Sequence, residues 1–188
     1  MKKVLYLLLV VIIAYSCTPS FTQDEKEIIN SELRIYKTSH PTDSLVLRTK
    51  CIDIPRSELN KADYKLLVEK MLKIVQLPEN DGVGIAAPQI GINRNLALIQ
   101  RFDKKGEPFE AYPNLKITHF SDSLQVGPEG CLSIDNISGN VSRSASIKIS
   151  YFDTSLNKSV EEEVLGFTAV IFQHEADHLN GILFTDYL

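Results

Sequence analysis

Apolar positions along the chain repeat with two periods. In "SELNKADYKLLVEKMLKIVQLP", beginning at Ser57, residues Tyr64, Leu67, Val68, Met71, Ile74 and Val75 fall on one face of a 3.6-residue repeat, and Pro78 follows. This spacing predicts one amphipathic helix. Phe167, Val170, Ile171, His174 and His178 share helical spacing near the end of the chain, with Asn180-Gly181 as a stop signal, so a second helix with an inward, apolar face is predicted there. Between them lie the strand-like runs "NLALIQ", "NLKITHF", "SASIKISYF" and "SVEEEVL". The last two are separated by "DTSLNK", which suits an antiparallel hairpin. Helices are expected only near Asn60 and Phe167, an order that argues for an α+β fold over an alternating parallel one.

Composition narrows the class without naming a function. A chain of 188 residues with 44% hydrophobic content is long enough to bury a core and too short for two large domains. A net charge of −4 leaves no basic footprint for nucleic acid, and no internal repeat or low-complexity run is visible. The front is different in kind. Lys2 and Lys3 precede an apolar run from Val4 to Ala14, followed by Ser16-Cys17, the organisation of a secretory signal. The run is too short for an ordinary spanning helix. A small residue before a cysteine resembles a bacterial lipoprotein cleavage site, with Cys17 as the lipidated residue, although Tyr15 fits it imperfectly. The alternative is an uncleaved N-terminal anchor. Residues 1–17 are therefore read as a signal peptide of lipoprotein type, 18–33 as a polar tether, and 34–188 as the folded domain.

Candidate chemistry sits in "VIFQHEADHLNG". His174 and His178, four apart, share one helix face and can offer ring nitrogens to one ion, while Glu175 lies beside it as a general acid–base. A catalytic ion of this kind takes three protein ligands and keeps a position for water. Downstream, the position where one protease class places a third histidine is Phe184, and Asp186 is too close to the turn. The third ligand must come from upstream, where His40, His119, Cys51, Cys131 and the acidic residues are candidates. Cys131 stands out through its setting, "GPEGCLS", whose Gly127, Pro128 and Gly130 suggest a tight backbone approach in place of a regular strand.

A further stretch, "GVGIAAPQIG" from Gly82, lacks the third glycine of a phosphate-cradling loop. Taken in order, "GVGIAAPQIG", "EGCLS" and "HEADH" resemble the three motifs of the peptide deformylase family, and the resemblance runs from about Arg34 to the "LFTDYL" tail. It implies a deformylase-like α+β fold, mostly antiparallel strands around a C-terminal metal-binding helix. The implied metal ligands are Cys131, His174 and His178, with Glu175 as acid–base. Gln89 and the backbone N–H of Leu132 would donate to the oxyanion, and Glu129 with Arg143 would form a supporting ion pair. Gly84 and Gly130 would admit a peptide backbone, while Val83, Phe167, Val170 and Ile171 would form a methionine pocket. The implied reaction is metal-dependent hydrolysis of N-formylmethionyl peptides, releasing formate and a free amino terminus. The alternatives are an exported metallo-amidase and a formyl-peptide-binding lipoprotein; retention of Gln89, Glu175 and the ligands favours an enzyme.

Three expectations qualify that resemblance. Asp135 stands where the family commonly has proline, and the polar "DNISGNVSR" is expected to be a loop flanking the cleft, which bears on substrate preference. The leader predicts an exported, membrane-anchored protein acting on formyl-peptides outside the cytoplasm, with a cytoplasmic location as the alternative. Fe(II) is the ion implied by the resemblance, but export exposes a ferrous thiolate site to oxidation, so Zn(II) or Ni(II) are alternatives. In an oxidising compartment Cys51 and Cys131 could also pair as a disulfide and abolish the site, a reading the intact second motif argues against.

Overall fold

The structure, a computed structural model, describes residues 19–188. The leader and Cys17 lie outside the described residues. Helices α1 (Gln23–Asn30), α2 (Pro41–Leu47) and α3 (Ala62–Val75) precede strand β1 (Gly84–Ala86), which runs into a 3₁₀ turn at Ala87–Ile90. Strands β2 (Leu96–Gln100), β3 (Phe109–Pro113), β4 (Lys116–Phe120), β5 (Leu124–Cys131), β6 (Ile134–Ser144), β7 (Ser146–Asp153) and β8 (Lys158–Leu165) follow. Helix α4 (Gly166–Leu179) and a short 3₁₀ turn at Phe184–Tyr187 complete the chain. Among the described residues no helix is long and apolar enough to cross a membrane.

The strands pair antiparallel in three groups, β1-β2-β3, β4-β7-β8 and the ribbon β5-β6. Strand alternation explains how the first sheet serves two cores. Ile85, Leu96 and Leu98 join Leu67, Met71 and Val75 of α3, whereas Ala86, Ala97 and Ile99 join Ala169, Ile171 and Phe172 of α4. The small Ala86 and Ala97 let α4 settle on this sheet, which it contacts along β1 and β2. Full burial of side chains such as Leu67, Ile85 and Phe172 stabilises the fold by roughly 1.5–3 kcal/mol each. A third cluster of Ile134, Val141, Leu183 and Phe184 packs the C-terminal turn under the ribbon.

The expected helix at Ala62–Val75, the four strand runs and the β7-β8 hairpin are present. Three local expectations are corrected. The segment read as a tether contains α1, packed on α3, with Ile29 fully buried and Phe21 in the core. Thr22 caps it in a reciprocal box with Glu25, and buried Arg94 binds the carbonyls of Pro19 and Ser20 at 2.6 and 2.8 Å and the Glu25 carboxylate. Helices are thus not confined to the two expected places, since α2 also forms behind Pro41. "GPEGCLS" and "DNISGNVSR" are mostly strand, because β5 and β6 satisfy each other's backbone groups from Leu124↔Ser144 to Gly130↔Ser138, without needing apolar alternation.

Candidate metal centre and active site

Helix α4 carries His174, Glu175 and His178, and its sequence does the placing. Gly166, at φ +61°, turns the chain out of β8, and Gln173 then bridges both backbone groups of Ser144 at 3.0 Å, docking the helix against the end of β6. The helix ends as expected at Asn180, with Gly181 in the left-handed region, where a Cβ would meet the Arg48 carbonyl oxygen at 2.4 Å. Ile171, Phe172 and Ala176 are buried, but Phe167 is 55% exposed, so its side chain leaves the core and faces the cleft.

Cys131, at the end of β5, brings its Sγ to 3.1 Å from His178 Nε2, and the ligand atoms of Cys131, His174 and His178 all lie within 4.8 Å of one another. The other upstream candidates are elsewhere. His40 precedes α2 beside Asp43, His119 is exposed on β4, and Cys51 is buried in the second core with its N–H on the Leu179 carbonyl. Both Cys51 and Cys131 are free thiols.

The donors fit a metal. His174 turns its Nδ1 to Glu129 at 2.9 Å, which leaves the other ring nitrogen for an ion. Burial holds His178 well below its ordinary pKa, in the neutral form that ligation requires, and its Nδ1 finds no hydrogen-bond partner among the described residues. Glu129 is itself buried, which opposes ionisation, but hydrogen bonds from His174 and Arg143 outweigh that and hold its carboxyl at about 2. Arg143 donates to both Glu129 oxygens, at 2.8 and 3.0 Å, and to Asp177 at 2.5 Å. The ion pair expected from the sequence is present, and it also orients His174. Asp177 was not anticipated; its place one residue before His178 is the only local signal. Phe184 stacks on His174 with ring centroids 6.1 Å apart.

Glu175 is buried beside these donors, and its Oε2 has no partner among the described residues. Burial pushes its carboxyl up to about 7, with His174 opposing and Glu129 and Asp177 adding to the rise. A carboxyl poised near neutrality can both take and return a proton. Gln89 sits in the 3₁₀ turn after β1, where Pro88 helps start the turn. Its Oε1 accepts from Ala86 N–H at 2.8 Å, so its Nε2 points toward Ser133 Oγ at 3.3 Å and Cys131 Sγ at 3.6 Å.

These groups open on a cleft of about 370 Å³. Val83, Gly84, Gly130, Phe167, Val170 and Ile171 all line it, as do Gln89, Leu132 and Glu175. Gly84 has a role the sequence did not reveal: a Cβ there would lie 2.5 Å from Glu175 Oε1. Gly130 has no neighbour that a Cβ would meet within 4 Å.

Three converging donors, a buried carboxyl and a side-chain amide on an antiparallel scaffold are the features of a metal-dependent hydrolase. The polypeptide deformylase family model matches residues 32–188. The chain is 32% identical over 171 residues to the peptide deformylase of Prochlorococcus marinus strain NATL2A, covering 89% of this chain and 79% of that one. It is 35% identical over 149 residues to the peptide deformylase of Synechocystis, covering 78% of each. A class I type b peptide deformylase from Acinetobacter baumannii superposes with a TM-score of 0.75 at 32% identity, over 84% of this chain and 99% of that one. The Thermotoga maritima peptide deformylase does so with a TM-score of 0.72 at 34% identity, over 84% of this chain and 98% of that one. The chain belongs to the peptide deformylase family. Its activity is the hydrolytic removal of the formyl group from N-formylmethionyl peptides.

Proposed function

We propose that Cys131, His174 and His178 hold one divalent ion and that Glu175, Gln89 and Leu132 carry out the deformylation around it. The approach of Cys131 Sγ to His178 Nε2, with Glu175 buried alongside, is the observation that carries this reading. A bound ion supplies the Lewis acidity that makes water nucleophilic near neutral pH. Glu175 takes the proton released as water attacks the formyl carbon and delivers it to the departing amine nitrogen. Gln89 Nε2 and the Leu132 N–H donate to the oxygen on which negative charge develops. Glu129, clamped by Arg143, keeps the His174 ring oriented. Val83, Phe167, Val170 and Ile171 supply the apolar wall for a methionine side chain, and an A. baumannii relative with a bound Met-Ala-Ser peptide supports that use of the cleft. One thiolate and two imidazoles suit iron(II), zinc(II) and nickel(II) alike, with iron(II) the ion implied by the family resemblance.

Formate release from formyl-Met-Ala-Ser by the purified chain, loaded separately with these three ions, tests the reading. Turnover should depend on the metal and fall about 10²- to 10⁴-fold in Glu175→Ala. Full metal occupancy without formate release would overturn it in favour of another amide substrate or a binding role.

We also read residues 1–17 as a lipoprotein-type signal that places the enzyme outside the cytoplasm on a membrane, where it deformylates formyl-peptides. Lys2-Lys3, the apolar run and Ser16-Cys17 support this. Fractionation with a fatty-acid label should find the label in the membrane and lose it in Cys17→Ser. A soluble product retaining Met1 would remove the export reading and leave the cytoplasmic one.

A further inference from the structure

The segment Tyr36–Thr38 runs behind the active site as a strap, and each of its backbone N–H groups is committed. Tyr36 donates to the Gln89 carbonyl at 2.7 Å, Lys37 to Asp43 Oδ2 at 3.1 Å, and Thr38 to the Ser133 carbonyl at 2.9 Å. The strap therefore ties the turn bearing Gln89 to the turn that follows Cys131. Lys37 adds a charge to this arrangement. Its Nζ donates to the Leu132 carbonyl at 2.8 Å and to Asp135 Oδ1 at 2.6 Å.

The Leu132 carbonyl and the Ser133 N–H are the two ends of one peptide unit. The Ser133 N–H lies 3.4 Å from Cys131 Sγ. A cation on the carbonyl end of a peptide polarises it and makes its N–H a stronger donor. Hydrogen bonds to a ligating sulfur in turn tune the electron density that the sulfur gives a metal. Lys37 and Asp135 are half-buried and exposed, and as an isolated surface ion pair they would stabilise the fold little. Their connection to the sulfur through a single peptide unit is what a surface pair lacks.

We propose that Lys37 is a positioning residue of the metal site, acting with Asp135 through the Leu132–Ser133 peptide on the Cys131 sulfur. The inference rests on the reading of Cys131 as a ligand but does not require the deformylase activity itself. Lys37 is outside the set of residues that line the cleft, so its removal should alter the site's electronics and turnover more than substrate affinity.

The test uses the full chain loaded with cobalt(II), whose thiolate-to-cobalt charge-transfer band reports on the sulfur directly. In Lys37→Met, which keeps length and removes charge, the band should move to longer wavelength and kcat should fall about three- to tenfold. KM should change less than about twofold, because substrate binding is not touched. Lys37→Arg should restore the band. Should Lys37→Met fail to fold, Lys37→Gln, which also removes the charge, should show a shift in the same direction. An unmoved band in the folded Lys37→Met protein, or in Lys37→Gln if that is the variant available, overturns the proposal. A wild-type protein with no thiolate band overturns it together with the ligand assignment. A wild-type band without formate release overturns only the proposed activity and leaves the band comparison to decide the role of Lys37.

Discussion

A Cβ at Gly84 would come within 2.5 Å of Glu175 Oε1 and 2.9 Å of Ile171 Cγ2. The Glu175 carboxyl therefore occupies the space that a side chain on the neighbouring strand would take. Gly84→Ala should displace Glu175 while leaving Cys131, His174 and His178 in place. Formate release is expected to fall about 10²-fold, the cost of an ångström-scale misplacement, with metal stoichiometry unchanged. Parallel metal analysis and activity assays check this, and full activity would show that Glu175 moves freely without consequence. At this scale much of the site was legible. The i, i+4 histidines needed only helix geometry, and Gln89 and Cys131 were marked by their motifs. The hydrogen bond that His174 donates to Glu129 was not legible, because it joins residues 45 apart whose meeting depends on β5 lying beside α4.

At the scale of elements, α1 shows how a short polar helix escapes a periodicity argument. Its eight residues carry only Ile28 and Ile29 as apolar side chains, so the segment resembles a spacer. The signal that was present is the capping pair Thr22 and Glu25, a local hydrogen-bonding pattern independent of hydrophobic period. Ile29 is fully buried with Phe21, Leu67 and Met71 in the first core. Ile29→Ala should destabilise the protein by about 2–4 kcal/mol, measured as a shift in the urea midpoint. A spacer would show no shift. The ribbon β5-β6 was missed for a related reason. Its burial alternates weakly, and Gly127, Gly130 and Gly139 interrupt any strand pattern, yet each strand completes the other's backbone hydrogen bonds.

Across the whole molecule, the strap at Tyr36–Thr38 joins the N-terminal region to the site, and Asp43 holds that strap. Its buried carboxylate accepts from Arg34 at 2.6 and 2.7 Å and from the Lys37 N–H. The Arg34 hydrogen bonds outweigh the opposing effect of burial and lower its pKa from 3.8 to about 2. Because the folded pKa lies below the unfolded one, this contribution is complete above about pH 4 and disappears as pH falls through about 2. It amounts to about 1–2 kcal/mol once the exposure of Arg34 is allowed for. Asp43→Asn should lower stability by that amount at neutral pH and flatten its decline between about pH 4 and 2. Urea titrations across that window measure both, and an unchanged slope would mean that other carboxylates govern acid unfolding.

The chain by itself determined the α+β class, helix α3, the hairpin of β7 and β8, and the shared face of His174 and His178 on α4. Each follows from spacing within one segment, where side chains a turn apart on a helix or two apart on a strand must share a face. Tertiary structure decided that Glu129 meets His174, why Gly84 must be small, and that Arg143 serves Glu129 and Asp177 together. Those outcomes depend on distances between segments far apart in sequence. They are settled only when α4 docks on β1 and β2 and the β5-β6 ribbon closes over it.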